Sequence, residues 1–142
     1  LRFNFRGVGR SGGEFDDGIG EQNDLQAAHN YLLSKDLQSI DLAGYSFGSW
    51  VGASLACRSD LFKNVILVSP PVSFMDFNGI SPIPALRLTI IGDNDDFGEL
   101  GTLKARLSVM NSEAPLEIIS NSDHFYTGCL DQLSTVIEAG VF

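Results

Sequence analysis

The chain has 142 residues, 44% of them hydrophobic, and its 18 acidic and 9 basic side chains give a formal net charge of −9 at pH 7. These values predict a single domain over residues 1–142 that buries its own core. The acidic charge argues against nucleic acid and anionic membranes as partners, because both attract clustered cations. No apolar run approaches the ~20 residues that a membrane-spanning helix needs. The two cysteines, Cys57 and Cys129, lack metal-ligand spacing, which favours reduced thiols and a cytoplasmic location.

The first residues, Leu1–Phe5, alternate apolar and polar side chains and predict a strand. A glycine-rich loop follows, in which Gly7–Gly12 matches the G-x-G-x-x-G pattern of dinucleotide-binding sites. That pattern requires a helix to begin within it, whereas here the loop continues to Gly18 and the next helix starts near Glu21. We therefore interpret this segment as a loop, and the lack of a following Gly-Lys-Ser/Thr excludes a phosphate-binding P-loop.

Apolar side chains recur at helical spacing between Glu21 and Leu33, which predicts a helix over 21–33. His29 lies on this helix. Because no neighbouring residue would orient its imidazole, we expect a surface or packing role for His29 rather than a catalytic one.

A G-x-S-x-G pentapeptide occupies Gly44–Gly48. The residues before it, 39–43, predict a strand, and the residues after it, 49–58, predict a helix with small side chains on one face. A strand, a sharp turn and a helix form the context that a nucleophile elbow requires, with Ser46 at the apex of the turn. The alternative is a glycine-rich turn that carries an ordinary serine.

The second half of the chain alternates strands with helices. The apolar run 64–69 predicts a strand buried on both faces, and the loop 72–84 follows it. In that loop the apolar side chains either line a pocket or pack in the core; they are Phe74, Met75 and Phe77. The remaining predicted elements are strands at 86–91 and 116–119 and helices at 100–110 and 127–139. This alternation predicts an α/β fold, a doubly wound and mostly parallel sheet with helices on both faces.

Three kinds of reactive side chain follow predicted strands: Ser46, the aspartates Asp93, Asp95 and Asp96, and His124. In doubly wound folds functional groups gather at the carboxyl ends of strands. Serine is a weak nucleophile that needs a neighbouring base, histidine provides a base near pH 7, and a carboxylate orients the histidine. Three alternatives stay open: a solvated acidic turn or calcium loop with Glu99, an aspartyl-phosphate site, and a structural histidine.

With these motifs the chain resembles proteins of the α/β-hydrolase fold, in particular the small lidless group of dienelactone-hydrolase-like and uncharacterised bacterial-type hydrolases. The matching stretches are FNFRGVGRSGG, LAGYSFGSWVGA, LVSPP, IIGDNDDFG and SDHFYTG. The resemblance implies Ser46 as nucleophile, His124 as base, no cofactor, and as acid the aspartate three residues after Gly92. That residue is Asp95, with Asp96 as the second candidate and Asp93 bracing the loop.

The resemblance also implies an oxyanion hole whose first donor is the backbone N–H of Phe47, the residue after the nucleophile. In the family the second donor comes from a loop that would precede Leu1, so we expect the chain to be a fragment of the fold that lacks its first strands. An uncovered sheet edge would then favour self-association or association with a missing segment.

Two functions follow from these expectations. The first is a serine hydrolase acting on a small-molecule carboxylic ester or related acyl compound. The alternative is a non-catalytic binding or scaffold protein with an incomplete oxyanion hole.

Overall fold

The computed structural model describes residues 1–141. Within them a parallel sheet has the strand order β1-β2-β3-β4, and helices precede or follow its strands. The strands are β1 (Leu42–Tyr45), β2 (Val65–Val68), β3 (Leu86–Gly92) and β4 (Leu116–Ile119). The helices are α1 (Ile19–Leu33), α2 (Phe47–Ala56), α3 (Leu100–Met110) and α4 (Leu130–Val141). The predicted α/β class with a parallel sheet is therefore confirmed.

The sheet separates two apolar cores, because successive side chains of a strand point to opposite faces. All residues of β2 are buried: Val65 and Leu67 pack in the core beneath α1, α2 and α3, while Ile66 and Val68 pack in the core beneath α4. This explains why the β2 sequence is continuously apolar rather than alternating. Among the described residues no helix is both long and apolar enough to cross a bilayer.

Some element boundaries differ from the predicted ones. The strand predicted over 39–43 corresponds to β1, which lies at Leu42–Tyr45. The helix predicted over 49–58 corresponds to α2, which starts at Phe47 because only one residue separates it from β1. The last helix starts at Leu130 rather than Thr127. Tyr126 and Gly128 have positive φ values of 55° and 73°, and a right-handed helix cannot contain that backbone conformation.

The strand predicted for Leu1–Phe5 was wrong. Alternation of apolar and polar side chains is a property of one segment, but a strand also needs a neighbour that accepts its backbone hydrogen bonds. In the structure a groove separates these residues from β1, and Leu1–Phe5 has no strand pairing among the described residues. The chain is then fixed to α1 at Arg6, whose backbone N–H and side chain donate to the Asp24 carboxylate.

The loop between β2 and β3 divides its apolar side chains between core and surface. Phe77 is 3% exposed and belongs to the core, and Met75 packs against that core. Phe74 is 68% exposed and contacts Phe97, with 4.9 Å between the ring centroids. Core packing therefore applies to Phe77 and Met75, and a pocket lined by Phe74 stays a prediction.

Candidate active site

Ser46 occupies the single position between β1 and α2. Its backbone has φ 51° and ψ −120°, a conformation that few residues other than glycine adopt. The turn is so tight that a side chain on Gly44 would overlap the carbonyl group of Gly48. As a result the Ser46 hydroxyl projects at the amino-terminal end of α2, where the helix dipole favours negative charge.

The structure brings Ser46, His124 and Asp95 into one hydrogen-bonded chain. The Ser46 Oγ lies 2.8 Å from His124 Nε2, and both carboxylate oxygens of Asp95 lie 2.9 Å from His124 Nδ1. The Asp95 carboxylate also accepts a hydrogen bond from the Phe97 backbone N–H at 2.9 Å. An ionised carboxylate can only accept, so the proton of a neutral imidazole sits on Nδ1. The Nε2 atom is then free to accept the proton of the Ser46 hydroxyl.

Burial separates the three candidate aspartates. The side chain of Asp95 is fully buried beside the imidazole, whereas Asp96 is exposed to solvent. Asp93 is also exposed, and its carboxylate accepts the backbone N–H of Ser122 at 3.2 Å. The geometry therefore assigns the contact with His124 to Asp95 and a contact with the histidine loop to Asp93.

The loop that carries His124 is held at three further points. The Tyr45 hydroxyl donates to the backbone carbonyl of His124 at 3.0 Å. Farther along the loop, the buried hydroxyl groups of Tyr126 and Ser69 lie 2.8 Å apart. A side chain on Gly92 would overlap the carbonyl group of Ser122. Burial raises the pKa of Tyr126 to about 12, so its hydroxyl stays protonated and able to donate.

Sequence reasoning missed Tyr45, Ser69 and Tyr126. Tyr45 stands next to the predicted nucleophile and Ser69 at the end of a predicted strand, so their placement near the site could have been inferred. Their hydrogen-bond partners could not, because those lie 79 and 57 residues away along the chain.

Aromatic rings surround the hydrogen-bonded chain. The Phe97 ring lies over the imidazole of His124, with 4.4 Å between centroids, and Phe125 meets the same imidazole edge-on at 5.4 Å. Phe74 extends this cluster through its contact with Phe97, and both Phe74 and Phe125 are more than half exposed. The imidazole that contacts the Ser46 hydroxyl is thus bordered by aromatic side chains.

The second histidine of the chain makes its contacts elsewhere. His29 is 7% exposed, its Nε2 lies 3.0 Å from the Leu61 carbonyl oxygen, and its imidazole packs edge-on against Phe62. This agrees with the predicted packing role rather than a catalytic one.

Comparison with known proteins gives the class. No protein-family model matches the chain. An α/β serine hydrolase homologue from Coxiella burnetii is 31% identical with a TM-score of 0.90, over 99% of this chain and 68% of that one. A lidless α/β serine hydrolase from Xanthomonas campestris is 32% identical with a TM-score of 0.88, over 99% and 64%. The chain therefore belongs to the α/β-hydrolase family.

A curated relative is also close in sequence. An uncharacterised protein of Rickettsia prowazekii is 35% identical over an aligned length of 147 residues, and the alignment includes 96% of this chain. The same alignment covers 62% of the Rickettsia protein, so the chain spans less than two thirds of its length.

Proposed function

We propose that this protein is a serine hydrolase that cleaves a carboxylic ester or a related acyl compound through an acyl-enzyme. The observation that carries the proposal is the continuous hydrogen-bonded chain from the Ser46 hydroxyl through His124 to the buried Asp95 carboxylate. Serine, base and carboxylate in this contact form the arrangement that activates a serine nucleophile.

The reaction proceeds in two halves. In the first, Ser46 Oγ attacks the carbonyl carbon while His124 Nε2 takes the hydroxyl proton and then gives it to the departing alcohol. In the second, His124 takes a proton from water, the resulting hydroxide attacks the acyl-enzyme, and the proton returns to Ser46 as the acid leaves. Asp95 keeps the Nδ1 proton in place and stabilises the imidazolium formed in each half.

The negative oxygen of each tetrahedral intermediate needs hydrogen-bond donors. Phe47 is the first residue of α2, and the first N–H groups of a helix have no acceptor within the helix. We assign its N–H as the first donor of the oxyanion hole. Removing a single such donor costs roughly 10²–10³-fold in turnover, so a second donor would raise the rate substantially.

The surroundings of Ser46 favour an uncharged substrate with an apolar part. Phe74, Phe97 and Phe125 present aromatic surface beside His124, and the chain carries a net charge of −9, which repels anions. Short aliphatic and aromatic esters are the substrates to test first.

Hydrolysis of p-nitrophenyl acetate and p-nitrophenyl butyrate tests the proposal. We expect the wild-type chain to release p-nitrophenol faster than buffer, and Ser46→Ala to fall to the buffer rate. Ser108→Ala is the matched control, because the Ser108 hydroxyl donates to the Ala105 carbonyl of its own helix, α3. Equal activity in Ser46→Ala would reject the mechanism. A folded wild-type chain without activity would favour the alternative, a non-catalytic binding or scaffold protein.

A further inference from the structure

Phe97 lies in the turn that joins β3 to α3, two residues after Asp95. Its backbone N–H donates to the Asp95 carboxylate at 2.9 Å, and the Gly98 N–H donates to the Asp95 carbonyl oxygen at 3.3 Å. An aspartate carboxylate that accepts the N–H two residues onward closes an Asx turn. The same turn therefore carries both the buried carboxylate beside His124 and the aromatic ring of Phe97.

The main chain at Phe97 is held from a second direction by the loop between β2 and β3. Its carbonyl oxygen accepts the Ser73 N–H at 3.0 Å, and its ring contacts Phe74 with 4.9 Å between the centroids. Both polar groups of the main chain at this residue are thus bonded, and neither bond involves the Phe97 side chain. Any residue other than proline at this position can keep both bonds.

The Phe97 ring faces the imidazole of His124. The two centroids are 4.4 Å apart and the planes are inclined by 33°, so the imidazole lies over the face of the benzene ring rather than at its edge. The face of an aromatic ring carries partial negative charge and attracts a cation within about 6 Å of the centroid. Because neutral imidazole carries no net charge, this attraction favours the imidazolium ion.

In the proposed reaction the imidazole becomes positively charged in each half, when Nε2 takes a proton from Ser46 or from water. A contact that is stronger in the transition state than in the ground state raises kcat. The Asp95 carboxylate meets the new charge at Nδ1, on the edge of the imidazole, at 2.9 Å. The Phe97 ring meets the same charge from the face.

We propose that Phe97 is a positioning residue of this site, whose ring stabilises the imidazolium form of His124 while its backbone N–H orients the Asp95 carboxylate. This role rests on the proposed hydrolase activity, because the imidazolium forms as Ser46 is deprotonated. It is separate from any contact of the ring with substrate.

A ring that only covered the imidazole would have the opposite effect on its charge. Phe97 is 37% exposed and the His124 side chain only 6%, so the ring helps to keep water from the imidazole. Exclusion of water disfavours a charged form, whereas attraction by the ring face favours it. Removal of the ring therefore makes protonation of His124 easier in the first case and harder in the second.

The other titratable groups around His124 stay in place when residue 97 is changed. Asp95 bonds Nδ1, and the Tyr45 hydroxyl donates to the His124 carbonyl oxygen. On the histidine loop itself, the Asp123 carboxylate accepts backbone N–H groups of that loop, and burial raises the pKa of Tyr126 to about 12. A difference between variants at residue 97 therefore reports on the ring.

NMR of the imidazole nitrogens from pH 4 to pH 9 measures protonation of His124 without substrate, with His29 as internal reference. Phe97→Leu removes the ring but keeps an apolar side chain and the backbone N–H. We expect its His124 midpoint to move about 0.4–0.7 pH unit to lower pH. Phe97→Tyr keeps the ring and should restore the wild-type midpoint. Phe74→Leu is the matched control, because it makes the same change in the ring next to Phe97, and it should leave the midpoint unchanged.

Steady-state kinetics with p-nitrophenyl butyrate tests the same role in turnover. On the alkaline plateau of the pH profile, we expect kcat of Phe97→Leu to fall about 3- to 10-fold with KM unchanged. The acid limb of its profile should move to lower pH together with the NMR midpoint. Phe97→Tyr should restore kcat, and Phe74→Leu should keep the wild-type kcat.

Three results would overturn the proposal. They are a His124 midpoint in Phe97→Leu that is unchanged or moves to higher pH, an equal shift in Phe97→Tyr, and a kinetic loss that is confined to KM. The NMR titration needs no hydrolysis. A chain without esterase activity whose midpoint still moves as expected would therefore reject the proposed function while confirming the contact between the ring and the imidazolium.

Discussion

In the proposed mechanism, single side chains decide whether the Ser46 hydroxyl reacts. His124 can accept its proton only while the other ring nitrogen keeps a hydrogen, and the buried Asp95 carboxylate, 2.9 Å away, enforces that tautomer. Asp96 is the next residue but is exposed. Of these two neighbouring aspartates, Asp95 is therefore the one placed to orient the imidazole.

Asp95→Asn should lower kcat for ester hydrolysis by about 10⁴-fold, because an amide can donate to Nδ1 and so stabilise the wrong tautomer. Steady-state kinetics with p-nitrophenyl butyrate measures the effect. Asp96→Asn is the control and should stay within a few-fold of wild type. A large loss in Asp96→Asn with normal activity in Asp95→Asn would assign the acid to Asp96 instead.

At the scale of single residues, the sequence predicted the types of the site residues and their order along the chain better than it predicted the contacts between them. Ser46, His124 and the cluster of Asp93, Asp95 and Asp96 were selected because each follows a predicted strand, and the choice of Asp95 within the cluster came from the family resemblance. The structure brings the side chains of Ser46, Asp95 and His124 within hydrogen-bond distance. Their catalytic roles remain predictions. The bond between Ser69 and Tyr126 could not be predicted, since two hydroxyl groups in unrelated segments carry no pattern that points to each other.

Secondary-structure elements position the histidine by close backbone approach. β3 ends at Gly92, and a side chain there would overlap the Ser122 carbonyl, two residues before His124. The missing side chain lets the histidine loop lie directly against the strand that leads to Asp95. The distance from His124 to Ser46 depends on this approach.

Gly92→Ala should therefore displace the histidine loop and lower kcat by about 10²-fold, the cost expected for a misplacement of about 1 Å. Gly12→Ala is a suitable control, because a methyl group there would meet no other atom. Kinetics and thermal unfolding should be measured on both variants. Wild-type kcat in Gly92→Ala would show that the loop can move without consequence.

The elements also show where periodicity fails as a guide. The continuous apolar run of β2 predicted a strand buried on both faces, which the structure confirms. The alternation of Leu1–Phe5 predicted a strand that does not exist. The first prediction depends only on burial, whereas the second depends on a partner strand that the pattern of one segment cannot reveal.

At the scale of the whole molecule, the ion pair between Arg6 and Asp24 joins the glycine-rich segment to the helical layer. The Asp24 carboxylate of α1 accepts the backbone N–H of Arg6 at 2.8 Å and its guanidinium at 2.8–3.2 Å. The side-chain hydrogen bond with Arg6 lowers the pKa of Asp24. A carboxyl whose pKa is lower in the folded state stabilises the fold above its unfolded pKa and loses this effect as pH falls through the folded pKa.

Asp24→Asn should thus lower the Tm at pH 7, and the difference from wild type should shrink below about pH 4, where the unfolded carboxyl begins to protonate. Thermal unfolding followed by circular dichroism from pH 3 to pH 7 measures this. Asp60→Asn, at an exposed position, should change the Tm little at any pH. A Tm difference for Asp24→Asn that is independent of pH would contradict the ion-pair explanation.

The class of the molecule was predictable from its sequence, and its substrate was not. Strand–helix alternation and the G-x-S-x-G turn depend on local chemistry, and the comparisons confirm the α/β-hydrolase family. The side chains that bear on a substrate come from distant segments, such as Phe74, Phe97 and Phe125, and no sequence pattern predicts that they cluster beside His124.

The central claim is that Ser46 is an activated nucleophile, and fluorophosphonate labelling read by intact mass tests it most directly. We predict one adduct on the 142-residue chain and on Ser108→Ala, and none on Ser46→Ala. A chain that circular dichroism shows to be folded but that forms no adduct, or an equal adduct on Ser46→Ala, would contradict the claim.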